Sequence, residues 1–77
     1  MPRYLLDLVI QHGGRVVERL RVHADPDNGD ELRELLRAAM ARRGHDLDHA
    51  EDYLMDVEPV ESSYGPGFTF AMTKEID

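Results

Sequence analysis

Apolar and polar residues alternate along the first ten positions of the chain, as expected for a β-strand with one buried face. Over residues 3–10, one side of the extended segment carries Tyr4, Leu6, Leu8 and Ile10, and the other side carries Leu5, Asp7 and Val9. Gly13 and Gly14 follow, and glycine readily adopts the positive φ angles of a tight hairpin turn. The pattern therefore predicts a hairpin whose second strand covers residues 15–23.

In that second strand the alternation predicts two different faces. Val16, Leu20 and Val22 share the apolar face with Glu18 as the exception, whereas Val17, Arg19 and Arg21 fall on the other face. The second face is therefore expected to be a mixture of apolar and basic side chains.

The segment after the hairpin has the period of an amphipathic α-helix. Its apolar stripe consists of Leu32, Leu35, Leu36, Ala39 and Met40. Asn28 is placed to cap the first turn, with Glu31 completing a capping box, and Gly44 is suited to the left-handed end of the helix. The sequence thus predicts one helix between about residues 28 and 44.

Two further strands are predicted in the last third of the chain. Tyr53, Met55 and Val57 alternate with Leu54, Asp56 and Glu58, and a second alternating run places Phe68, Phe70 and Met72 on one face. Pro59 should end the first of these strands or lie at a sheet edge, and residues 61–67 have the composition of a loop.

These elements give the order β-β-α-β-β and a fold of the α+β class. We expect a two-layer sandwich in which one helix packs on one face of a four-stranded, mostly antiparallel sheet. The β-grasp arrangement has the same order of elements. Seventy-seven residues suffice for a single small domain, here residues 1–77, with one small core.

Composition narrows the setting in which the protein acts. The chain has no cysteine, so it cannot form disulfides or thiolate metal sites. This composition is compatible with a protein of the reducing cytoplasm. No apolar run approaches the ~18 residues that span a bilayer, and the N-terminus does not resemble a signal peptide. These observations predict a soluble, cytoplasmic protein with no membrane contact.

Charge is distributed unevenly along the chain. The net charge is −7, yet residues 1–43 carry +1 and residues 44–77 carry −8. Nucleic acids are bound by Lys and Arg side chains that neutralise phosphates, so direct nucleic-acid binding is not expected of this chain. The acidic half could instead attract a basic protein.

The sequence lacks the residue patterns of most enzymes. It has no cysteine nucleophile, no serine in a nucleophile motif and no glycine-rich phosphate loop. His45 and His49 are four residues apart and have carboxylates around them, which makes them weak candidates for a metal site. We therefore expect no enzyme activity, no catalytic residues and no cofactor.

Two surfaces are candidates for binding a partner. The first is the sheet face away from the helix, with Leu5, Val9, Val17, Arg19 and Arg21, which would be covered in a homodimer. The second is an acidic segment, residues 44–61, whose seven carboxylates belong to Asp46, Asp48, Glu51, Asp52, Asp56, Glu58 and Glu61.

These surfaces correspond to different functions. The sheet face favours a non-catalytic protein interaction module or accessory subunit that associates with itself. The acidic segment favours an inhibitor or nucleic-acid mimic that docks on a basic protein. A metal-binding protein that uses His45 and His49 is a third alternative.

Overall fold

The computed structural model of the protein describes residues 3–61 and 63–72 and confirms the predicted order of elements. The four strands and the helix are β1 (Tyr4–His12), β2 (Arg15–Ala24), α1 (Gly29–Arg42), β3 (Tyr53–Pro59) and β4 (Phe68–Ala71). The strands form one sheet in the order β2-β1-β3-β4, and each neighbouring pair is antiparallel. The predicted α+β class is therefore confirmed.

The hairpin between β1 and β2 turns at the two glycines, as predicted. Gly13 has a φ of 60° and Gly14 a φ of 83°. Two consecutive positive φ angles define the primed turn whose twist matches that of a two-stranded ribbon. The Gly13 N–H also donates to the Asp52 carbonyl at 2.9 Å, which ties the turn to the start of β3.

The core lies between α1 and one face of the sheet. From the helix it contains Leu32, Leu36, Ala39 and Met40, and from β1 and β3 it contains Leu6, Leu8, Ile10, Tyr53, Met55 and Val57. All of these side chains are buried, as their alternation or helical spacing predicts. Leu35, Phe68 and Phe70 are half-buried against this cluster.

The start of α1 differs in one detail from the predicted capping box. Asn28 Oδ1 accepts a hydrogen bond from the Glu31 N–H at 3.2 Å, so the cap itself is confirmed. The Glu31 carboxylate, however, accepts from the Asp25 N–H at 3.0 Å and not from that of Asn28. The chain enters the helix through a turn in which the Asn28 N–H already donates to the Asp25 carbonyl.

The end of α1 is the predicted left-handed stop. Gly44 has a φ of 79°, its N–H donates to the Ala41 carbonyl, and the His45 N–H donates to the Met40 carbonyl. This pair of bonds satisfies carbonyls that the last turn of a helix leaves without partners.

A β-bulge in the hairpin corrects the predicted faces of two valines. The pairing of β1 with β2 shifts between Ile10 and Gln11, so that Ile10 is opposite Glu18 whereas Gln11 is opposite Val16. Val17 is the extra residue and packs half-buried against the core, while Val16 is exposed on the face away from the helix. A strict period of two cannot predict this exchange because a bulge inserts one residue into the alternation.

The connection between α1 and β3 is more regular than the sequence suggests. Residues Leu47–Asp52 form a short 3₁₀ helix in which Ala50 is buried. β3 also lies inside the sheet, between β1 and β4, and not at an edge.

Candidate functional site: the open sheet face

We call the sheet face away from α1 the open face, because no helix packs against it within residues 3–61 and 63–72. β1 and β2 contribute Leu5, Asp7, Val9, Gln11, Val16, Arg19, Arg21 and His23. The other half of the face contributes Leu54, Asp56, Glu58, Val60, Thr69 and Ala71. The structure therefore brings Leu5, Val9, Arg19 and Arg21 together as predicted, and replaces Val17 by Val16.

Exposed apolar side chains are concentrated on the open face. Val16, Leu54 and Val60 are the exposed large hydrophobic residues of the described chain, at 49%, 40% and 42% exposure. Val16 and Leu54 are both opposite Gln11. The Val60 N–H donates to the Leu5 carbonyl at 2.9 Å, which extends the register of β3 by one residue and places Val60 beside Leu5.

The sequence pattern contained a signal for Val60 that the prediction did not use. Residues on the open face of β3 recur at every second position from Leu54, and continuing this period beyond Glu58 gives Val60. Pro59 ends the strand, but its neighbour still makes one ladder hydrogen bond.

Polar side chains on the open face are held in place by bonds across neighbouring strands. Arg21 donates to both carboxylate oxygens of Asp7, at 2.6 Å from Nε and 3.1 Å from Nη2. This hydrogen-bonded pair lowers the pKa of Asp7 and raises the pKa of Arg21. The carboxylate is therefore ionised throughout the physiological pH range.

Asp56 is fixed between β1 and β4 in a similar way. Its Oδ2 accepts from Gln11 Nε2 at 2.8 Å, and its Oδ1 accepts from Thr69 Oγ1 at 2.7 Å. Both bonds point along the face and not away from it, so the half-buried carboxylate is preorganised. Arg19 on β2 and Asp56 on β3 are both opposite Val9 of β1. Arg19 makes no hydrogen bond or ion pair with residues 3–61 or 63–72.

A shallow depression lies over the centre of the open face. Its volume is about 480 Å³, and its lining includes Asp7, Val9, Arg19, Arg21 and Glu58. The depression is open, and its lining combines charged and apolar side chains.

The acidic segment is divided between two places in the structure. Asp46, Asp48, Glu51 and Asp52 are exposed in or beside the 3₁₀ helix, where Asp46 caps the first turn by accepting from the Asp48 N–H. Asp56 and Glu58 instead lie on the open face, and Glu61 follows β3. The seven carboxylates thus do not form one contiguous strip.

The two predicted histidines belong to an aromatic cluster that also contains His12 and Tyr53. The ring centroids of His45 and His49 are 4.2 Å apart, and those of His12 and Tyr53 are 4.4 Å apart, both in stacked arrangements. The ring centroids of His12 and His45 are 5.0 Å apart. The hairpin and the 3₁₀ helix bring these residues together, and no spacing in the sequence indicated that His12 would join them.

His45 is the most constrained member of this cluster. Its Nδ1 lies 2.5 Å from the Tyr53 hydroxyl oxygen, which also accepts from Arg43 Nε at 3.3 Å. The hydroxyl hydrogen is therefore available to donate to a neutral His45. Burial, followed by the charges of His49, His12 and Arg43, lowers the pKa of His45.

Metal binding finds no geometric support in the part of the chain that the structure describes. No group of three or more His, Asp or Glu side chains in it is arranged to hold a metal ion. The ring of His45 is stacked on that of His49, and Nδ1 of His45 is engaged by the Tyr53 hydroxyl.

Comparison with known proteins gave no match. No protein-family model fits the chain, and no curated protein or solved structure is significantly similar to it. No helix within the described ranges is both long and apolar enough to cross a membrane.

Proposed function

We propose that the protein is a non-catalytic interaction module that associates with itself through the open face. One observation carries this proposal: the three most exposed large hydrophobic residues of the described chain, Val16, Leu54 and Val60, all lie on that face. Val16 and Leu54 flank Gln11 at one end of the face, and Val60 lies beside Leu5 at the other end, so the face exposes apolar surface at both ends. We expect the protein to act in the cytoplasm, where proteins rarely form disulfides and a chain without cysteine is not at a disadvantage.

The polar groups of the open face support the same function. The bonds between Arg21 and Asp7, and from Gln11 and Thr69 to Asp56, fix side chains that would otherwise lose conformational entropy on binding. A preorganised surface of this kind favours association with a complementary surface. Covering the exposed part of a side chain such as Leu54 adds about 1 kcal/mol.

The acidic cap of the 3₁₀ helix supports a second candidate function. Asp46, Asp48, Glu51 and Asp52 are exposed within a short range and would attract a basic protein, as an inhibitor or nucleic-acid mimic does. Replacing these four by Asn or Gln tests the idea. An unchanged affinity for the partner, with an unchanged salt dependence, would remove it.

The decisive experiment measures the solution mass of the chain by light scattering over a range of concentrations. Four strands about 4.8 Å apart and about seven residues long cover roughly 450 Å². This is below the ~800 Å² that each partner buries in a standard interface, so we expect a dimer that dissociates at micromolar concentration. Leu54→Asp should weaken the dimer at least about tenfold, because it places a carboxylate in the covered apolar row.

The matched control is Ala38→Asp, which adds the same charge to the exposed outer side of α1. This variant should dimerise as the unmodified chain does. A monomer at all concentrations, at low and at high salt, would contradict self-association. Equal weakening by both variants would show that added charge, and not its place on the open face, is responsible.

A further inference from the structure

The open face is organised in rows that run across β2, β1 and β3. Residues directly opposite one another in an antiparallel sheet point to the same side, so the strand register fixes each row. The rows, written in the order β2, β1, β3, are Val16–Gln11–Leu54, Arg19–Val9–Asp56, Arg21–Asp7–Glu58 and His23–Leu5–Val60.

The charges in these rows have opposite signs on the two sides of β1. Arg19 and Arg21 lie on β2, whereas Asp56 and Glu58 occupy the equivalent positions on β3. The row that contains Gln11 has an apolar residue at both ends, Val16 on β2 and Leu54 on β3. The face is thus complementary to itself when its two sides are exchanged.

We propose that two copies of the chain pack open face to open face about a two-fold axis that runs parallel to β1. This inference rests on the proposed function and specifies the geometry of the dimer. Rotation about this axis keeps every row at the same height along β1 and exchanges the β2 side of the face with the β3 side. Arg19 then faces Asp56 of the second copy, and Arg21 faces Glu58 of the second copy.

Most of the apolar residues fit the same axis, although Val60 faces His23 of the second copy. Val16 faces Leu54 of the second copy, so the two exposed side chains beside Gln11 cover each other. Val9 and Leu5 meet their own counterparts over the axis and add two apolar contacts, one on each side of Asp7. Packed sheets whose strands run in nearly the same direction are a common arrangement, with an angle of about 30° between them.

One contact on this axis is unfavourable, since Asp7 faces Asp7 of the second copy. Each of these carboxylates is already bonded to Arg21 of its own chain, at 2.6 and 3.1 Å. In the dimer this row contains two Arg21 guanidinium groups against four carboxylates, two of Asp7 and two of Glu58. The arginines therefore offset part of the repulsion, and the row keeps a net charge of −2.

The charge pattern disfavours a second arrangement of two open faces with aligned strands. A two-fold axis perpendicular to the strands would place β2 against β2 and β3 against β3. Arginines would then face arginines and carboxylates would face carboxylates. Like charges opposed across an interface weaken association and suppress that arrangement.

Charge exchange at Arg19 and Asp56 tests the geometry. Arg19→Asp and Asp56→Arg should each raise the dimer dissociation constant at least about tenfold, since each brings like charges together. The double variant, Arg19→Asp with Asp56→Arg, should recover most of the lost affinity. An equimolar mixture of the two single variants should also form mixed dimers, because every exchanged pair is then complementary.

Failure of the axis and failure of the proposed function give different results. If the unmodified chain is a monomer, self-association is wrong and the axis is wrong with it. If the unmodified chain is a dimer but the double variant remains as weak as the single variants, only the axis is overturned. Thermal melts of each variant establish that it is folded before its mass is interpreted.

Cross-linking gives a second measurement that does not alter charge. The chain has no cysteine, so Val16→Cys and Leu54→Cys variants carry one thiol each. On oxidation of their mixture, the main product should be the disulfide that joins a Val16→Cys chain to a Leu54→Cys chain. A predominance of the disulfide joining two copies of Val16→Cys would overturn the axis.

Discussion

Alternate residues of β1 serve two faces that are stabilised in different ways. Leu6, Leu8 and Ile10 point to α1 and are completely buried, whereas Leu5 and Val9 point to the open face and stay half-exposed. The covered face holds the monomer together, because its side chains leave water when the chain folds. The open face keeps apolar surface in water, so its side chains contribute mainly when a second molecule covers them.

The polar residues show the same contrast between the faces. On the covered side, Arg42 of α1 bonds to Glu18 of β2 at the margin of the core, with Nε at 3.0 Å from Oε2. On the open side, charged residues lie in the middle of the sheet, beside Val9. Charges in the centre of a surface act on the choice and orientation of a partner more than on folding.

The largest expected effect separates the two faces within one strand. Leu8→Ala should lower the free energy of unfolding by about 2–5 kcal/mol, because it leaves a cavity in a well-packed core. Val9→Ala, its immediate neighbour, should lower it by less than about 1 kcal/mol at concentrations where the chain is monomeric. Urea denaturation of both variants measures the difference, and equal losses would contradict the assignment of faces.

A smaller effect tests the exchange of faces at the β-bulge. Val17→Asp should lower the free energy of unfolding by about 1–3 kcal/mol, since it introduces a carboxylate against the core. Val16→Asp should cost less than about 0.5 kcal/mol in the monomer, as an exposed substitution. The reverse order in chemical denaturation would show that the uninterrupted alternation, and not the bulge, describes β2.

The smallest expected effect is a dependence of stability on pH, and it comes from His45 at the margin of the covered face. The pKa of His45 is lowered from its usual 6.5, chiefly by burial, so the unfolded chain binds a proton at higher pH than the folded chain does. The stabilisation that this difference provides is present above pH 6.5. It is lost as the pH falls through the lowered pKa of the folded state.

Thermal melts between pH 7.5 and pH 5 should therefore show a falling melting temperature that His45→Gln reduces in slope. His23→Gln, which removes an exposed imidazole on the open face, serves as the control for the loss of one histidine. Asp7 and Glu31 have lowered pKa values as well, but their stabilisation is lost only at more acidic pH. A slope that is identical in all three proteins would show that His45 does not contribute.

The sequence was sufficient for the elements whose signals are local. The period of Leu32, Leu36 and Met40, the cap at Asn28 and the stop at Gly44 all depend on neighbours within a few residues, and the structure confirms each. The Gly13–Gly14 turn is local in the same sense.

Features that depend on distant contacts were not accessible from the sequence. The central position of β3 follows from its pairing with β1, about 45 residues away in sequence, which no local pattern encodes. The stacking of His12 on Tyr53 depends on the same pairing. On the open face, Leu5, Val9, Arg19 and Arg21 were found from alternation, whereas Val16 and Val17 were exchanged because the bulge resets that alternation.

The bulge has a further consequence for how this chain can vary over evolutionary time. A deletion inside a regular strand would turn every side chain on one side of it to the opposite face, which is rarely survivable. Loss of residue 17 alone would join Val16 to Glu18 while Gln11 and Ile10 keep their present partners. A homologous chain one residue shorter at this point could thus preserve both surfaces, and an alignment that places its gap anywhere else in β2 would misassign them.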